Sequence, residues 1–72
     1  MRRTFYQYLM SHRGGQKSDP RALFAEAAFL DHEFPKTETG FDPLSRYLEE
    51  RADPDMPSRV FDELWEEYME SD

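Results

Sequence analysis

The chain has 72 residues, 38% of them apolar and 35% charged, with sixteen acids against nine bases for a net charge of −7 and no cysteine. That length allows one small domain and leaves no room for a second core. The cysteine count removes disulfides, a thiolate nucleophile and Cys-based zinc or iron–sulfur sites, and the net charge argues against nonspecific binding to a phosphate backbone.

The first element starts at Thr4, a good N-cap, behind which Phe5, Tyr8, Leu9 and His12 fall at i, i+3, i+4 and i+7. This spacing predicts a helix over about residues 4–13, ended by Gly14 and Gly15. Asp19 followed by Pro20 signals a second helix, since the carboxylate accepts orphan N–H groups and Pro at the first helical position gives up a donor that had no partner. From Ala22 to Leu30 every residue except Glu26 is apolar, so this helix is expected at the centre of the fold, to be stopped by Phe34 and Pro35. After an aperiodic stretch from Lys36 to Gly40, Asp42 and Pro43 repeat the cap pattern, and Leu44, Tyr47 and Leu48 give a short helix ending near Ala52. Asp53, Pro54, Asp55 and Pro57 make a rigid corner, with Pro57 near the start of the next helix. Val60, Phe61, Leu64, Trp65, Tyr68 and Met69 then form the strongest apolar stripe, opposite Asp62, Glu63, Glu66, Glu67 and Glu70. With one Val and no Ile, strands lack their preferred residues. The expected fold is all-α: a small orthogonal bundle of four or five short helices filling residues 1–72 as a single domain.

Few constellations carry chemistry. His12 and His32 are the only imidazoles; His32-Glu33 opens like a zinc-protease motif, but Lys36 stands where the second His is needed and Pro35 interrupts the helix. Asp53 and Asp55 begin with calcium-loop spacing, yet Ser58 and Leu64 occupy the Gly and bidentate Glu positions. Ser11 and His12 are helical neighbours about 100° apart and cannot act as nucleophile and base. Neither phosphate-cradling glycine pattern occurs. The expectation is a non-enzyme with no metal and no cofactor. No apolar run reaches membrane-spanning length. Arg2 and Arg3 resemble a twin-arginine export signal without the apolar segment such a signal requires, so a soluble, cytoplasmic protein is expected.

Charge is unevenly distributed. Residues 1–17 carry Arg2, Arg3, Arg13 and Lys17 with no acid, whereas residues 60–72 carry six acids with no base. Carboxylates in the last turns of a helix oppose its dipole and repel one another. Two compensations suggest themselves: pairing of Arg2 and Arg3 with Glu66, Glu67 or Glu70 if the first and last helices are neighbours, or a basic partner on this face. Glu63, Glu66 and Glu67 are therefore candidate partner-binding residues.

Phe5, Tyr6, Tyr8 and Leu9; Phe24, Ala25, Ala28 and Asp31; the run from Asp31 to Lys36 (D-H-E-F-P-K); Tyr47, Leu48 and Glu49; and the closing Phe61, Asp62, Trp65 and Tyr68 together resemble the YozE-like family of small bacterial proteins, found mainly in Firmicutes. The resemblance spans nearly the whole chain and implies a sterile-alpha-motif-like (SAM-like) helical fold. It supplies no catalytic or binding residues to carry over, and that fold type hosts both protein-interaction and nucleic-acid-binding modules. Phe5, Phe24, Phe61 and Trp65 are expected as core rings, with Phe34 and Pro35 closing the linker. Lys36, expected to be solvated and without a packing duty, joins the partner-binding candidates. The leading expectation is a non-enzymatic protein-interaction module; the alternative is nucleic-acid binding through Arg2, Arg3, Arg13 and Lys17.

Overall fold

The computed structural model describes residues 3–16 and 18–71. Four helices follow in order: α1 (Phe5–Met10), α2 (Pro20–Leu30), α3 (Phe41–Arg51) and α4 (Ser58–Glu70), with no strand among the described residues.

Local chemistry sets each boundary. At α1 the Thr4 Oγ1 accepts from the Gln7 N–H at 3.1 Å while the Gln7 Oε1 accepts from the Thr4 N–H at 2.9 Å, a reciprocal capping box. The helix expected to reach residue 13 loses its α-helical pattern after Met10. Beyond that point the N–H groups of Ser11, His12 and Arg13 bond three residues back, and the Ser11 hydroxyl takes the Tyr8 carbonyl at 2.6 Å. Gly14, at φ +83°, then reverses the chain. Asp19 caps α2 by accepting from the Arg21 N–H at 3.0 Å, with Pro20 as the first helical residue.

α2 stops at Leu30, before the expected Phe34-Pro35 terminator. Asp31 has left the helical region, its carboxylate accepts the Glu33 N–H at 3.0 Å and its carbonyl accepts the Phe34 N–H at 3.1 Å. α3 starts earlier than expected, with Gly40 rather than Asp42 at the N-cap. Pro43 is its third residue, still within the turn where a missing N–H costs nothing. α3 ends on Ala52 in the left-handed conformation (φ 51°), and Asp53 folds the following corner by accepting the Asp55 N–H at 2.9 Å. Pro57 is the N-cap of α4.

The centre of the molecule belongs to α4, which packs against α1, α2 and α3. This reverses the expectation for α2. Its small residues Ala22, Ala25 and Ala28, with Phe24, face inward, while Leu23, Phe29 and Leu30 stand 41%, 41% and 65% exposed. A run of apolar residues without a polar stripe hides which side is inner; the alanines mark it because they let the backbone approach its neighbours.

Phe5, Phe24 and Phe61 are buried as expected, whereas Trp65 is only half-buried. Phe5 meets Phe61 and Tyr68 edge-to-face with ring centroids 5.3 and 5.6 Å apart, the arrangement the ring quadrupoles favour. Trp65 lies at the margin of this cluster, 5.5 Å from Phe41 and 5.2 Å from Tyr68. Met56, in the proline corner, is also buried and closes the core between α3 and α4.

Candidate functional site

α4 presents three longitudinal strips. Val60, Phe61, Leu64 and Tyr68 are its buried face. Along one edge Glu67 and Glu63 reach Arg21 of α2, with Arg21 Nη1 2.5 Å from Glu67 Oε1 and Nη2 3.8 Å from Glu63 Oε2. The remaining strip, Asp62, Glu66 and Glu70, repeats every fourth residue on the exposed side. Within the described residues none of these three takes an ion pair.

The acidic helix is thus partly neutralised from within, among the described residues by Arg21 and not by Arg3. The Arg3 carbonyl accepts a hydrogen bond from the Tyr68 hydroxyl at 2.5 Å, its guanidinium lies 5.1 Å from the Tyr8 ring centroid, and its Nη2 donates to Ser71 Oγ at 3.5 Å. Arg3 ties the chain to the end of α4 through Tyr68 and Ser71, not through a glutamate. Arg2 lies outside the described residues. Nothing in the sequence pattern linked Arg21 to α4; it became a partner only once α2 lay alongside.

Glu67 also reaches the α1 side of this junction. Burial, and next the nearby Glu67 charge, push the Tyr8 hydroxyl above its ordinary pKa. The same hydroxyl lies 3.2 Å from His12 Nε2. That contact gives His12 a structural partner, while His32 is exposed on the turn after α2. No group of three or more His, Asp or Glu among the described residues is placed to hold a metal ion.

Of the candidate basic set, the two members among the described residues lie apart. Arg3 and Arg13 lie at opposite ends of α1, and Arg13 is engaged by Glu26 at 3.1 Å and by the Phe29 ring at 3.5 Å. Lys17 lies outside the described residues. Lys36 is exposed, as expected, with its Nζ 5.6 Å from the Tyr6 centroid, and Tyr6 in turn contacts Phe34, which contacts Tyr47. Tyr6 and Tyr8, two residues apart, face about 200° away from each other on α1. Lys36 is therefore on the far side of α1 from Glu67 and does not join the acidic group.

A polar cluster that sequence reading missed sits at the far end of this aromatic row. Asp31 is only 5% exposed, and its carboxylate accepts from the Tyr47 hydroxyl, the Glu33 N–H and, at 3.4 Å, the Arg51 guanidinium. Burial, then the hydrogen bond to Asp31 and its negative charge, raise the Tyr47 hydroxyl to about 12. The cluster binds the end of α2 to α3 and fixes the linker carrying Phe34 and Lys36. Its one sequence signal was the Asp-x-x-Phe-Pro run; the partners lie sixteen and twenty residues further on.

Residues 4–70 match the protein family described as the YozE SAM-like fold. The chain belongs to the YozE SAM-like family. It is 51% identical over 70 residues to a UPF0346 protein of Levilactobacillus brevis, covering 96% of this chain and 94% of that one. A UPF0346 protein of Geobacillus kaustophilus is 45% identical over 69 residues, 96% of each chain. One of Streptococcus pneumoniae is 41% identical over 70 residues, 97% of this chain and 99% of the other. The YozE-family resemblance read from the aromatic residues and the Asp31–Lys36 run is therefore correct along nearly the whole chain, as is the SAM-like all-α fold. No helix among the described residues is long and apolar enough to cross a membrane.

Proposed function

We propose that this YozE-family chain is a non-enzymatic protein-interaction module whose contact face is the outer strip of α4, centred on Glu66 and reading a basic segment of a partner protein. The observation that carries the proposal is the contrast along one helix: Glu63 and Glu67 share Arg21, whose single charge offsets one of the two, while Asp62, Glu66 and Glu70 keep their like charges at four-residue spacing in solvent. Such spacing costs a few tenths of a kcal/mol per pair, and a cationic partner converts that cost into complementarity. Beside the strip run half-buried Trp65 and exposed Met69, with Phe41, 39% exposed, against the indole. An acidic row flanked by aromatic and thioether surface suits a segment that alternates basic and apolar residues.

The polar groups best suited to chemistry have structural employment. Asp31 holds Tyr47 and Arg51, and His12 holds Tyr8. Among the described residues Arg3, Arg13 and Lys36 lie apart, which favours the interaction reading over the nucleic-acid alternative.

Pull-down from a Firmicutes lysate with the unaltered domain and with Glu66→Lys tests the reading. Partners retained by the former and lost by the latter support it; identical sets remove the acidic strip from contention. Titration with DNA and RNA at low salt, expected to show no association, checks the alternative.

A further inference from the structure

We propose that the solvent-facing side of α2 is a self-association surface on which two copies pair antiparallel about a two-fold axis, each seating its Leu30 in the other's cleft beside Leu23. This surface is separate from the α4 strip and does not depend on the reading given to it.

Leu30 is 65% exposed, and Leu23, one heptad before it, is 41% exposed. Seven residues are two helical turns, so both leucines lie on one line of α2 about 10.5 Å apart, with half-buried Ala27 between them. A cleft of about 290 Å³ opens next to Leu23, lined also by Gly14, Gly15, Ala22 and Glu26. Gly15 keeps the turn close to α2 on one side of it, since a Cβ there would stand 3.2 Å from the Ala22 Cβ. The helix therefore carries a protruding side chain at one end and a recess at the other. A two-fold axis passing between residues 26 and 27 brings each Leu30 against the partner's Leu23 and its cleft, so that one operation satisfies both contacts and closes the assembly at two copies.

Charge on this face is arranged for a like partner. The axis brings the two copies of Glu26 together, which would repel if they were bare. Each is already paired with Arg13 at 3.1 Å, and Arg13 is held in place over Phe29 at 3.5 Å. With its acid neutralised from within, the face offers a charged protein little, whereas a second copy supplies the matching knob and recess. Two exposed leucines with Ala27 between them fall well short of the roughly 800 Å² per partner of a standard interface, so the dimer is weak, with a dissociation constant on the order of 100 µM.

Sedimentation equilibrium from about 5 µM to 1 mM tests the proposal. The unaltered chain is expected to rise from the mass of one chain towards that of two, and to go no higher. Leu30→Glu and Leu23→Glu are expected to remain single chains throughout, their far-UV circular dichroism unchanged because both positions are exposed; Leu30→Ser replaces either variant that does not fold. Glu66→Lys, on α4, is expected to dimerise like the parent. A parent chain that stays single at 1 mM, a Leu30 variant that dimerises as strongly as the parent, or growth beyond two copies overturns the inference.

Discussion

Replacing Asp31 by Ala removes a buried carboxylate that serves three donors, one in the turn after α2 and two on α3. The Glu33 N–H loses the acceptor that turns the chain out of α2, the Tyr47 hydroxyl loses its acceptor, and Arg51 loses its anion. These losses are unequal. Arg51 is 42% exposed and rehydrates, so its share is below about 1 kcal/mol. The half-buried tyrosine hydroxyl and the turn N–H together account for about 2 kcal/mol. The sum, about 2–3 kcal/mol, lowers Tm by about 10–20 °C in a domain of this size. Asp31→Asn, which keeps acceptor oxygen and shape but not the charge, is expected to lose about 1 kcal/mol. Urea unfolding followed by Trp65 fluorescence and by circular dichroism measures both variants against Arg51→Ala. If Asp31→Ala lies within about 0.5 kcal/mol of the parent, the cluster does not hold α2 to α3 and the reasoning is wrong.

The Tyr47 hydroxyl, raised to about 12, keeps its proton in the folded state at pH values where an unfolded tyrosine, with an ordinary value near 10, has lost it. The folded chain then binds more protons than the unfolded one, so this contribution is intact below pH 10 and disappears as pH rises towards about 12; ultraviolet titration of the parent shows a late tyrosinate step that Tyr47→Phe deletes. Ala52→Gly relieves a left-handed residue at the end of α3 and is expected to raise stability by about 1 kcal/mol in urea unfolding, with an unchanged or lowered value counting against strain at that cap. Charge reversals on α4 are expected to differ in sign: Glu66→Lys relieves repulsion from Asp62 and Glu70 and stabilises by a few tenths of a kcal/mol, whereas Glu67→Lys breaks the Arg21 pair and destabilises by about 1 kcal/mol, both read from urea midpoints.

What could be read in advance follows from the range of the interactions. Caps and stripes are local, so the Asp19-Pro20 start of α2, the Thr4 cap and the buried stripe of α4 were visible in short windows of sequence. Helix ends were less visible, because the turns at Ser11 and Asp31 depend on side chains competing for backbone groups. The place of α2 was misread because a nearly unbroken apolar run carries no phase, and only the alanines distinguish the inner side. The candidate site was half legible. Composition revealed the acidic strip of α4, but Arg21 is more than forty residues away in sequence and its pairing arises from packing. The contact of Lys36 with Tyr6 was out of sight for the same reason, since the ring belongs to α1.

The proposed function stands on the strip carrying Asp62, Glu66 and Glu70 as the face that meets a partner. Amide chemical-shift mapping of the isotope-labelled domain titrated with the basic segment of a captured partner tests it directly. Shifts are expected at Asp62, Glu63, Glu66 and Glu70, with the neighbouring Trp65 indole moving and the whole response lost in Glu66→Lys. Shifts confined to the ends of α1 around Arg3 and Arg13, with α4 silent, contradict it.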